Sequence, residues 1–328
     1  MNPIWSICIP TYNRADCLQM NLENIFSQMD GLAKKEIEIL VSNNCSTDNT
    51  DAIVKSFLNR GENISYYVNK ENIGPDRNFL QCINKAHGKY VLLLGDDDYL
   101  LNGTIPKLLA VLKQDDYGVV YIANKMIMFS RNIPINDSEN YKIKANTYND
   151  SNLFLKKVSF FITFMSGSIF NKKYLERIDY YNKYIGSYLI QITFFIHAIF
   201  KAQNNMYIKS PVLASKKNDN GGYKITDVFC VSLNKLLNEF KQIGVTDATI
   251  SSINDDVIIK FLPYFIAKIR NERTRFQDDD MEKVLNSVYS NNLKYYIFLY
   301  PILLLPPSIA KIYSYFPRLY GKLLKMLS

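Results

Sequence analysis

The stretch Tyr90-Val-Leu-Leu-Leu-Gly-Asp-Asp-Asp-Tyr-Leu-Leu101 decides the fold. Its first five residues are apolar, which is typical of a short strand buried in a parallel sheet. Gly95 ends this run, and the aspartates 96–98 follow directly. Adjacent carboxylates repel one another, and Mg²⁺ or Mn²⁺ relieves that repulsion because these ions prefer carboxylate and phosphate oxygens. The alternative is a polar turn in which one Asp caps the next helix.

Upstream of this stretch, strand patterns alternate with helical patterns. The strand patterns cover Trp5–Ile9, Ile37–Val41 and Ile64–Val68, and the helical ones cover Cys17–Gln28, residues 52–58 and Phe79–Ala86. Alternating β and α units of this length predict a parallel, doubly wound α/β sheet. Ligands of such sheets lie at the carboxyl ends of the strands, and polar clusters occupy those ends in this chain.

These polar clusters match the parts of a nucleotide diphosphate. A loop amide can pair with a base, Arg14 or Arg77 can contact diphosphate oxygens, and the carboxylates can hold a metal on the diphosphate. The chain has no Gly-x-Gly-x-x-Gly or Gly-x-x-x-x-Gly-Lys-[ST] loop, which argues against dinucleotide oxidoreductases and P-loop enzymes. The residues therefore predict a metal-assisted nucleotide-diphosphate site on a half-Rossmann sheet.

Composition narrows the class of protein further. The net charge of +8, from 39 basic and 31 acidic residues, favours anionic partners. Five cysteines without a CxxC pair indicate free thiols in a reducing compartment rather than a disulfide framework or zinc site. His87 and His197 are the only histidines in the sequence, which leaves little for histidine triads or histidine metal clusters. We expect neither a signal peptide nor a membrane-spanning segment.

Four blocks of sequence carry a family resemblance. They are Ser6-Ile-Cys-Ile-Pro-Thr-Tyr-Asn-Arg14, Glu38-Ile-Leu-Val-Ser-Asn-Asn-Cys-Ser-Thr-Asp-Asn-Thr50, Asn72-Ile-Gly-Pro-Asp-Arg-Asn-Phe79 and Leu93-Leu-Gly-Asp-Asp-Asp98. In this order they resemble family 2 glycosyltransferases of the GT-A fold. The last two blocks are most similar to the abequosyltransferase-like branch, which decorates bacterial surface polysaccharides. The resemblance implies a GT-A domain over residues 1–225, with a nucleotide-sugar-binding half (1–105) and an acceptor half (106–225). A helical, basic and aromatic region would cover residues 226–328.

The resemblance also implies a donor site. Pro10, Thr11 and Tyr12 would line the base, and Arg77 would face the base or the diphosphate. Asp96 would contact the ribose, and Asp97 would bind Mn²⁺ or Mg²⁺ with help from Asp96 or Asp98. We also expect the following residues in the nucleotide-sugar site: Arg14, Asn43, Asn44, Asn72, Gly74 and Lys216. The segment Lys216–Tyr223 is either a loop that orders over the diphosphate or an exposed linker.

Two residues depart from the family pattern. Gly95 stands where the family usually has the first Asp of its metal signature, so Asp96 and Asp98 supply the lost charge or the metal binds more weakly. Asn43 stands where the family usually has an Asp that meets the base. An amide both donates and accepts hydrogen bonds, so cytosine and guanine are as open as uracil. Asn43 can instead form an Asx turn within its loop.

The catalytic base stays unassigned at this point. Residues 132–151 are polar and predict a surface loop, and Phe160–Phe170 corresponds to the segment that shapes the acceptor pocket in this fold. In the family, an Asp at the start of the next helix acts as the base, but Tyr184–Gln191 contains no carboxylate. The remaining candidates are Asp179, Asp76 and the acceptor loop, and a retaining course without a protein base is also open. The predicted catalytic set is Asp97, Asp98, Asp76 and Asp179.

These features together predict a metal-dependent, hexosyltransferase-type glycosyltransferase. Its donor would be a nucleotide-diphosphate sugar, and its acceptor a lipid-linked carbohydrate of O-antigen or capsule synthesis. Two alternatives stay open: a catalytically inactive scaffold that binds sugar or lipid, and a sugar-nucleotide nucleotidyltransferase. A homo-oligomer is compatible with the sequence. The donor base, sugar, linkage and stereochemical course do not follow from the residues.

The C-terminal region predicts where the enzyme acts. Tyr295–Ala310 is apolar but too short to span a bilayer, and three prolines interrupt it. From Asn291 to Ser328 the chain has five basic residues and no acidic one, with aromatic residues between the later charges. This pattern is typical of peripheral attachment to a membrane, here the cytoplasmic face of the cell membrane. The alternative is a helix pair that covers the domain or a dimer partner. No nucleic-acid-binding motif accompanies the charge, so we expect no nucleic acid partner.

Overall fold

The run Trp5–Thr11 forms β1, and every residue in it is buried. The computed structural model describes residues 2–29, 31, 33–123, 127–129, 142–216, 222–271, 280–317 and 319–321. The other strands of these residues are β2 (Ile37–Asn43), β3 (Ile64–Val68), β4 (Tyr90–Leu93), β5 (Asp98–Leu100), β6 (Tyr117–Tyr121), β7 (Ile127–Phe129), β8 (Ala145–Tyr148), β9 (Ser168–Asn171), β10 (Asn204–Ile208) and β11 (Leu213–Lys216).

Two sheets form from the described strands. In the larger one the order is β3-β2-β1-β4-β9-β6-β10-β8, and in the smaller one it is β5-β11-β7. β1 is parallel to β2 and β4, β2 is parallel to β3, and β6 is parallel to β10. β9 runs antiparallel to both β4 and β6, and β8 is antiparallel to β10. The predicted α/β architecture with a mostly parallel sheet is confirmed.

Helices connect the parallel strands. Among the described residues up to 216, the α-helices are α1 (Ala15–Phe26), α2 (Ala33–Glu36), α3 (Thr50–Asn59), α4 (Pro75–Lys85), α5 (Thr104–Leu112), α6 (Ser151–Val158) and α7 (Ile190–Lys201). Helix α4 begins four residues before the predicted Phe79, because Gly74 adopts φ +80° and Pro75 occupies the first helical position. Proline is favoured there since the missing N–H has no partner within the helix. Short 3₁₀ helices cover Ser159–Thr163, Met165–Gly167, Lys172–Tyr174 and Ile178–Tyr184.

The antiparallel strand β9 brings a distant segment to the carboxyl end of β4. Ile169 of β9 pairs with Leu92 of β4 and with Val120 of β6. Because β9 runs opposite to β4, the residues just before β9 lie beside the residues just after β4. The segment that ends at Ser168 therefore lies next to the aspartate run.

Part of the predicted surface loop at residues 132–151 is a strand. Residues 145–148 form β8 and pair with β10 at the edge of the sheet. Residues 132–141 lie outside the described residues. The prediction of a loop is wrong for residues 145–148. An edge strand exposes side chains to solvent, so its sequence can be as polar as that of a loop.

The chain divides into two compact units, residues 1–217 and 218–328. The described part of the second unit is helical, as predicted. It contains α8 (Leu233–Glu239), α9 (Asp247–Asp256), α10 (Leu262–Asn271), α11 (Met281–Tyr289), α12 (Tyr300–Leu304) and α13 (Pro307–Tyr313), with π-helical turns at Asp227–Ser232, Val257–Phe261 and Tyr295–Leu299 and a 3₁₀ helix at Phe240–Ile243. Among the described residues, no helix is both long and apolar enough to cross a bilayer. The domain limits at 105 and 225 stay predictions.

Candidate active site

The aspartate run lies in a tight turn at the carboxyl end of β4. The Asp98 N–H donates to the Gly95 carbonyl at 3.1 Å and closes this turn. Asn21, fully buried on α1, donates from Nδ2 to the carbonyls of Gly95 and Asp98, each at 3.0 Å. A buried side chain therefore fixes the backbone that presents the three carboxylates. We call residues 95–98 the carboxylate turn.

Asp96 and Asp97 share one cation. Arg14 Nη1 lies 3.0 Å from Asp96 Oδ1 and 2.7 Å from Asp97 Oδ2. Thr11 Oγ1 donates to Asp96 Oδ2 at 2.8 Å. Burial raises the pKa of Asp96 to about 6, even though Arg14 pulls the pKa down. The Asp97 side chain is 19% exposed against 6% for Asp96, so Asp97 is the more accessible carboxylate of this pair.

Asp98 points to the segment before β9. Ser166 Oγ donates to Asp98 Oδ2 at 2.5 Å and accepts from the Gly95 N–H at 2.8 Å. Asp98 Oδ1 is buried and has no hydrogen-bond partner within the described part of the chain. Burial, with repulsion from Asp97, raises the pKa of Asp98 to about 7. Ser166 was not assigned a role from the sequence, because β9 had to be known before this contact followed.

The structure explains why residue 95 is a glycine. A Cβ at position 95 would lie 2.7 Å from Asp98 Oδ2 and 3.4 Å from Asp97 Oδ1. The Asp98 carboxylate therefore fills the space that a side chain at position 95 needs. Where the family usually has an Asp at this position, this chain has a carboxylate that folds back from three residues downstream.

The chemistry of the turn suits a hard divalent cation, although its carboxylates are engaged with protein groups. Among the described residues, no group of three or more His, Cys, Asp or Glu side chains is arranged as a metal site. The Arg14 guanidinium lies between the Asp96 and Asp97 carboxylates, in a position that a metal cation could also take. The two carboxylates make the electrostatic potential at this position negative. Asp98 Oδ1 is a further hard oxygen donor. The donor types fit Mg²⁺ or Mn²⁺.

The predicted nucleotide residues meet at the carboxyl ends of β1, β2 and β3. Asn43 Oδ1 accepts from the Ser46 N–H at 2.8 Å, and its Nδ2 donates to the Tyr66 hydroxyl at 2.9 Å. Asn44 Nδ2 donates to Asn72 Oδ1 at 2.8 Å, and Asn44 Oδ1 accepts from the Ile73 N–H at 3.0 Å. Asn43 therefore stabilises its own loop by an Asx-type bond, and Asn44 ties that loop to the one after β3.

The remaining donor-site predictions lie around these loops. Pro10 and Thr11 are the last residues of β1, and Tyr12 follows with its side chain exposed. Gly74 precedes α4, and Arg77 is exposed in the first turn of that helix. The Lys216 N–H donates to the Asp97 carbonyl at 3.0 Å. Residues 217–221 of the predicted diphosphate loop lie outside the described residues.

The two candidate bases lie in different surroundings. Asp76 is 4% exposed, and its Oδ2 accepts from the N–H groups of Gly186 at 2.7 Å and Tyr188 at 3.1 Å. Burial raises the pKa of Asp76, while these N–H groups oppose the rise. The Asp179 side chain is 61% exposed, lies 3.3 Å from Arg177 and lines a surface pocket beside the last turns of α4. Asp76 is in the first turn of α4, at the end that adjoins the nucleotide loops.

Known proteins similar to this chain include two bacterial enzymes. The chain is 28% identical over 234 residues to abequosyltransferase RfbV of Salmonella typhimurium, covering 67% of this chain and 68% of that protein. It is 28% identical over 222 residues to the GalNAc(5)-diNAcBac-PP-undecaprenol beta-1,3-glucosyltransferase of Campylobacter jejuni, covering 66% and 69%.

A solved structure supports the fold. The Staphylococcus aureus enzyme TarS, residues 1–349 in complex with UDP-GlcNAc, superposes with a TM-score of 0.59 at 17% identity, covering 97% of this chain and 91% of that one. This similarity confirms the predicted GT-A fold. The sequence profile described as glycosyl transferase family 2 matches residues 6–179, more than half of the 328-residue chain. The chain therefore belongs to glycosyl transferase family 2 and is a nucleotide-sugar-dependent glycosyltransferase.

Proposed function

We propose that the enzyme transfers a hexose from a nucleoside-diphosphate sugar to a lipid-linked carbohydrate during synthesis of a bacterial surface polysaccharide. The observation that carries this proposal is the Thr11–Asp96 hydrogen bond, which joins the predicted base-binding strand end to the carboxylate turn. The acceptor class is supported by the Campylobacter relative, whose name gives a saccharide linked through diphosphate to undecaprenol as its acceptor. O-antigen and capsule intermediates both belong to this class.

The residues suggest how the donor is bound. The exposed Tyr12 ring would stack on the base, and Asp96 would accept from the ribose hydroxyls. Arg14 would leave its two carboxylates and contact diphosphate oxygens, since phosphate is also a bidentate partner for a guanidinium. Asp97, assisted by Asp96 or Asp98, would hold Mn²⁺ or Mg²⁺. A divalent cation supplies charge neutralisation of the leaving diphosphate.

The first test identifies the reaction. The purified enzyme is incubated with UDP-, CDP-, GDP- and dTDP-sugars and with octyl glycosides as acceptors. Release of nucleoside diphosphate supports the transferase. Release of pyrophosphate from a sugar phosphate and a nucleoside triphosphate supports the nucleotidyltransferase instead. Neither product from any donor supports an inactive sugar- or lipid-binding scaffold.

The second test addresses metal dependence. Asp97→Ala should reduce kcat at least 100-fold while Tm changes little, because the Asp97 side chain is partly exposed. Asp247→Ala, which removes an exposed carboxylate paired with Lys241 in the second unit, is the matched control and should keep wild-type activity. Full activity of the wild type in excess chelator would exclude a required metal.

The third test addresses the base and the stereochemical course. Alanine variants of Asp76 and Asp179 are assayed with the best donor, and the product anomer is determined by NMR. A base is expected in an inverting reaction and is dispensable in a retaining one. Wild-type rates in both variants would mean that neither carboxylate is the base.

We also propose that the second unit attaches the enzyme to the cytoplasmic face of the membrane. Ile309 and Ile312 of α13, together with Phe316 and Leu319 after its end, are 49%, 72%, 46% and 59% exposed and form a cluster of accessible apolar side chains in the sequence. Other parts of the region are core, since the side chains of Tyr295, Leu299 and Ile302 are buried. The apolar stretch thus contains both a packed face and an exposed face.

Point variants test this attachment better than truncation, which would remove core residues. The double variant Ile312→Glu and Leu319→Glu should lose binding to vesicles of phosphatidylglycerol and phosphatidylethanolamine at unchanged Tm. Leu58→Glu, at an exposed apolar position of α3, is the control and should bind like the wild type. If the wild type ignores such vesicles but the double variant dissociates an oligomer in light scattering, the exposed face is a dimer surface.

A further inference from the structure

The loop before α7 has a strained backbone. Gly186 and Tyr188 both adopt left-handed conformations, with φ of +94° and +57°. Glycine accepts such a conformation easily, but a tyrosine does not. A strained residue of this kind persists only where the surroundings hold it, and such residues concentrate at ligand-binding sites. Tyr188 is also 48% exposed, whereas Leu189 directly after it is buried.

Asp76 holds this loop from the donor side. Its buried Oδ2 accepts both the Gly186 and Tyr188 N–H groups. Asp76 belongs to the first turn of α4, next to Arg77 and two residues after Gly74. The segment before this helix is bound to Asn44 at the end of β2. One carboxylate therefore connects the loop before α7 with the predicted nucleotide loops.

Gln191 holds the same loop from the other side. Its Nε2 donates to the Thr163 carbonyl at 2.7 Å, three residues before the Ser166 that binds Asp98. Its Oε1 is buried, and none of the residues that the structure describes forms a hydrogen bond with it. Residues 186–189 and the start of α7 are thus fixed between the nucleotide loops and the carboxylate turn, where the group that receives the sugar must arrive. We call residues 186–189 the bracketed loop.

Building on the proposed function, we infer that Tyr188 is the platform for the terminal sugar ring of the acceptor and that Asp76 is its positioning residue. The apolar face of a pyranose packs against an aromatic ring, and a rigid tyrosine offers that surface at low entropic cost. Because Asp76 Oδ2 accepts two N–H groups of the loop, Asp76 acts on the acceptor through the loop. Ordering of the nucleotide loops by donor would thereby stabilise the acceptor platform.

Hydrogen exchange tests the positioning role without any acceptor. The probe is whichever of UDP, CDP, GDP and dTDP raises Tm most. In the wild type this nucleotide should slow amide exchange at residues 186–188 at least 5-fold. In Asp76→Ala those amides should exchange faster and no longer respond to the nucleotide. Asp150→Ala is the matched control, since Asp150 caps α6 by accepting from the Leu153 N–H at 2.9 Å. Unaltered exchange in Asp76→Ala would overturn the positioning role.

Kinetics test the platform. With octyl glycosides as acceptors, Tyr188→Ala should raise acceptor KM at least 10-fold more than it raises the nucleotide Kd, and Tyr188→Phe should stay within 3-fold of wild type. Tyr188→Gly should raise Tm by relieving the backbone yet show the same KM defect. Wild-type acceptor KM in Tyr188→Ala and Tyr188→Gly would overturn the platform.

Asp76→Asn separates positioning from base catalysis. The amide keeps an oxygen that accepts the two N–H groups, so this variant should retain much of the activity that Asp76→Ala loses. A kcat that falls at least 100-fold in Asp76→Asn, with normal exchange at residues 186–188, would make Asp76 the base and overturn the inference. A wild type that releases no nucleoside diphosphate from any donor refutes the proposed function instead.

Discussion

Replacing Gly95 with alanine should strain the carboxylate turn through one contact. The added methyl group would lie 2.7 Å from Asp98 Oδ2, which is closer than carbon and oxygen atoms approach without displacement. Asp98 cannot retreat freely, because it is 4% exposed and bonded to Ser166 at 2.5 Å. Overpacking of a buried site costs about 1–3 kcal/mol, and a lost hydrogen bond to a charged group costs about 1.5–3 kcal/mol. We expect Gly95→Ala to lower the free energy of unfolding by about 2–3 kcal/mol.

A double-mutant cycle isolates this contact. Urea denaturation is followed for wild type, Gly95→Ala, Asp98→Ala and the double variant. When the Asp98 carboxylate is absent, the methyl group at position 95 has no close contact with it. The Gly95→Ala change should then lower the free energy of unfolding by less than about 0.5 kcal/mol. The coupling energy between the two positions should therefore be about 2 kcal/mol, well above the additivity expected of independent sites. Additive effects, or a Gly95→Ala variant as stable as wild type, would refute the reasoning.

Three further predictions follow from individual contacts. Ser166→Ala should cost about 1–3 kcal/mol in urea unfolding, because Asp98 and a backbone N–H both lose a buried partner. Burial tends to raise the pKa of Glu38, but the hydrogen bonds that its carboxylate accepts lower the pKa overall. The ionised Glu38 therefore stabilises the fold above the ordinary carboxyl pKa, and this stabilisation is lost as the pH falls through the lowered pKa. Glu38→Gln should therefore cost about 1–2 kcal/mol at pH 7 and much less at pH 3, and equal costs would contradict the shift. Asn43→Asp should leave the ranking of UDP and CDP affinities unchanged within 3-fold, because Asn43 is engaged with its loop and Tyr66; a change above 10-fold would restore a base-reading role.

The N-terminal half of the fold could be predicted from the sequence because the strand and helix patterns are local. Strand patterns such as Ile64–Val68 were matched to the residue, and the aspartate run was located at a strand end. The bonds that organise the site are not local. Ser166 reaches Asp98 across 68 positions, and Asp76 reaches Gly186 across 110. Neither pair has a sequence pattern, since each depends on strand order and on the direction of β9.

The Asp76 carboxylate shows most clearly which contacts could not be predicted from the sequence. By sequence it is one charged residue in the loop before a predicted helix, and a role as the base is as open as any other. Its partners are backbone N–H groups, which no side-chain motif encodes. The role of Asn43 is equally open from the sequence, because a loop amide can contact a base or form an Asx turn. The position of the Ser46 N–H in the structure identifies the Asx turn.

The direction of β9 has a consequence for how the chain reaches its native state. β4 ends in the carboxylate turn, yet one of its edges is completed only by a strand that follows 75 residues later in the chain, from Leu93 to Ser168. During synthesis the first 105 residues would emerge with that edge unpaired, and an open hydrophobic strand edge invites pairing with other chains. Closing so long a loop is slow relative to local contacts. A fragment of residues 1–105 should therefore aggregate, and the turn should become ordered late, after β9 has docked.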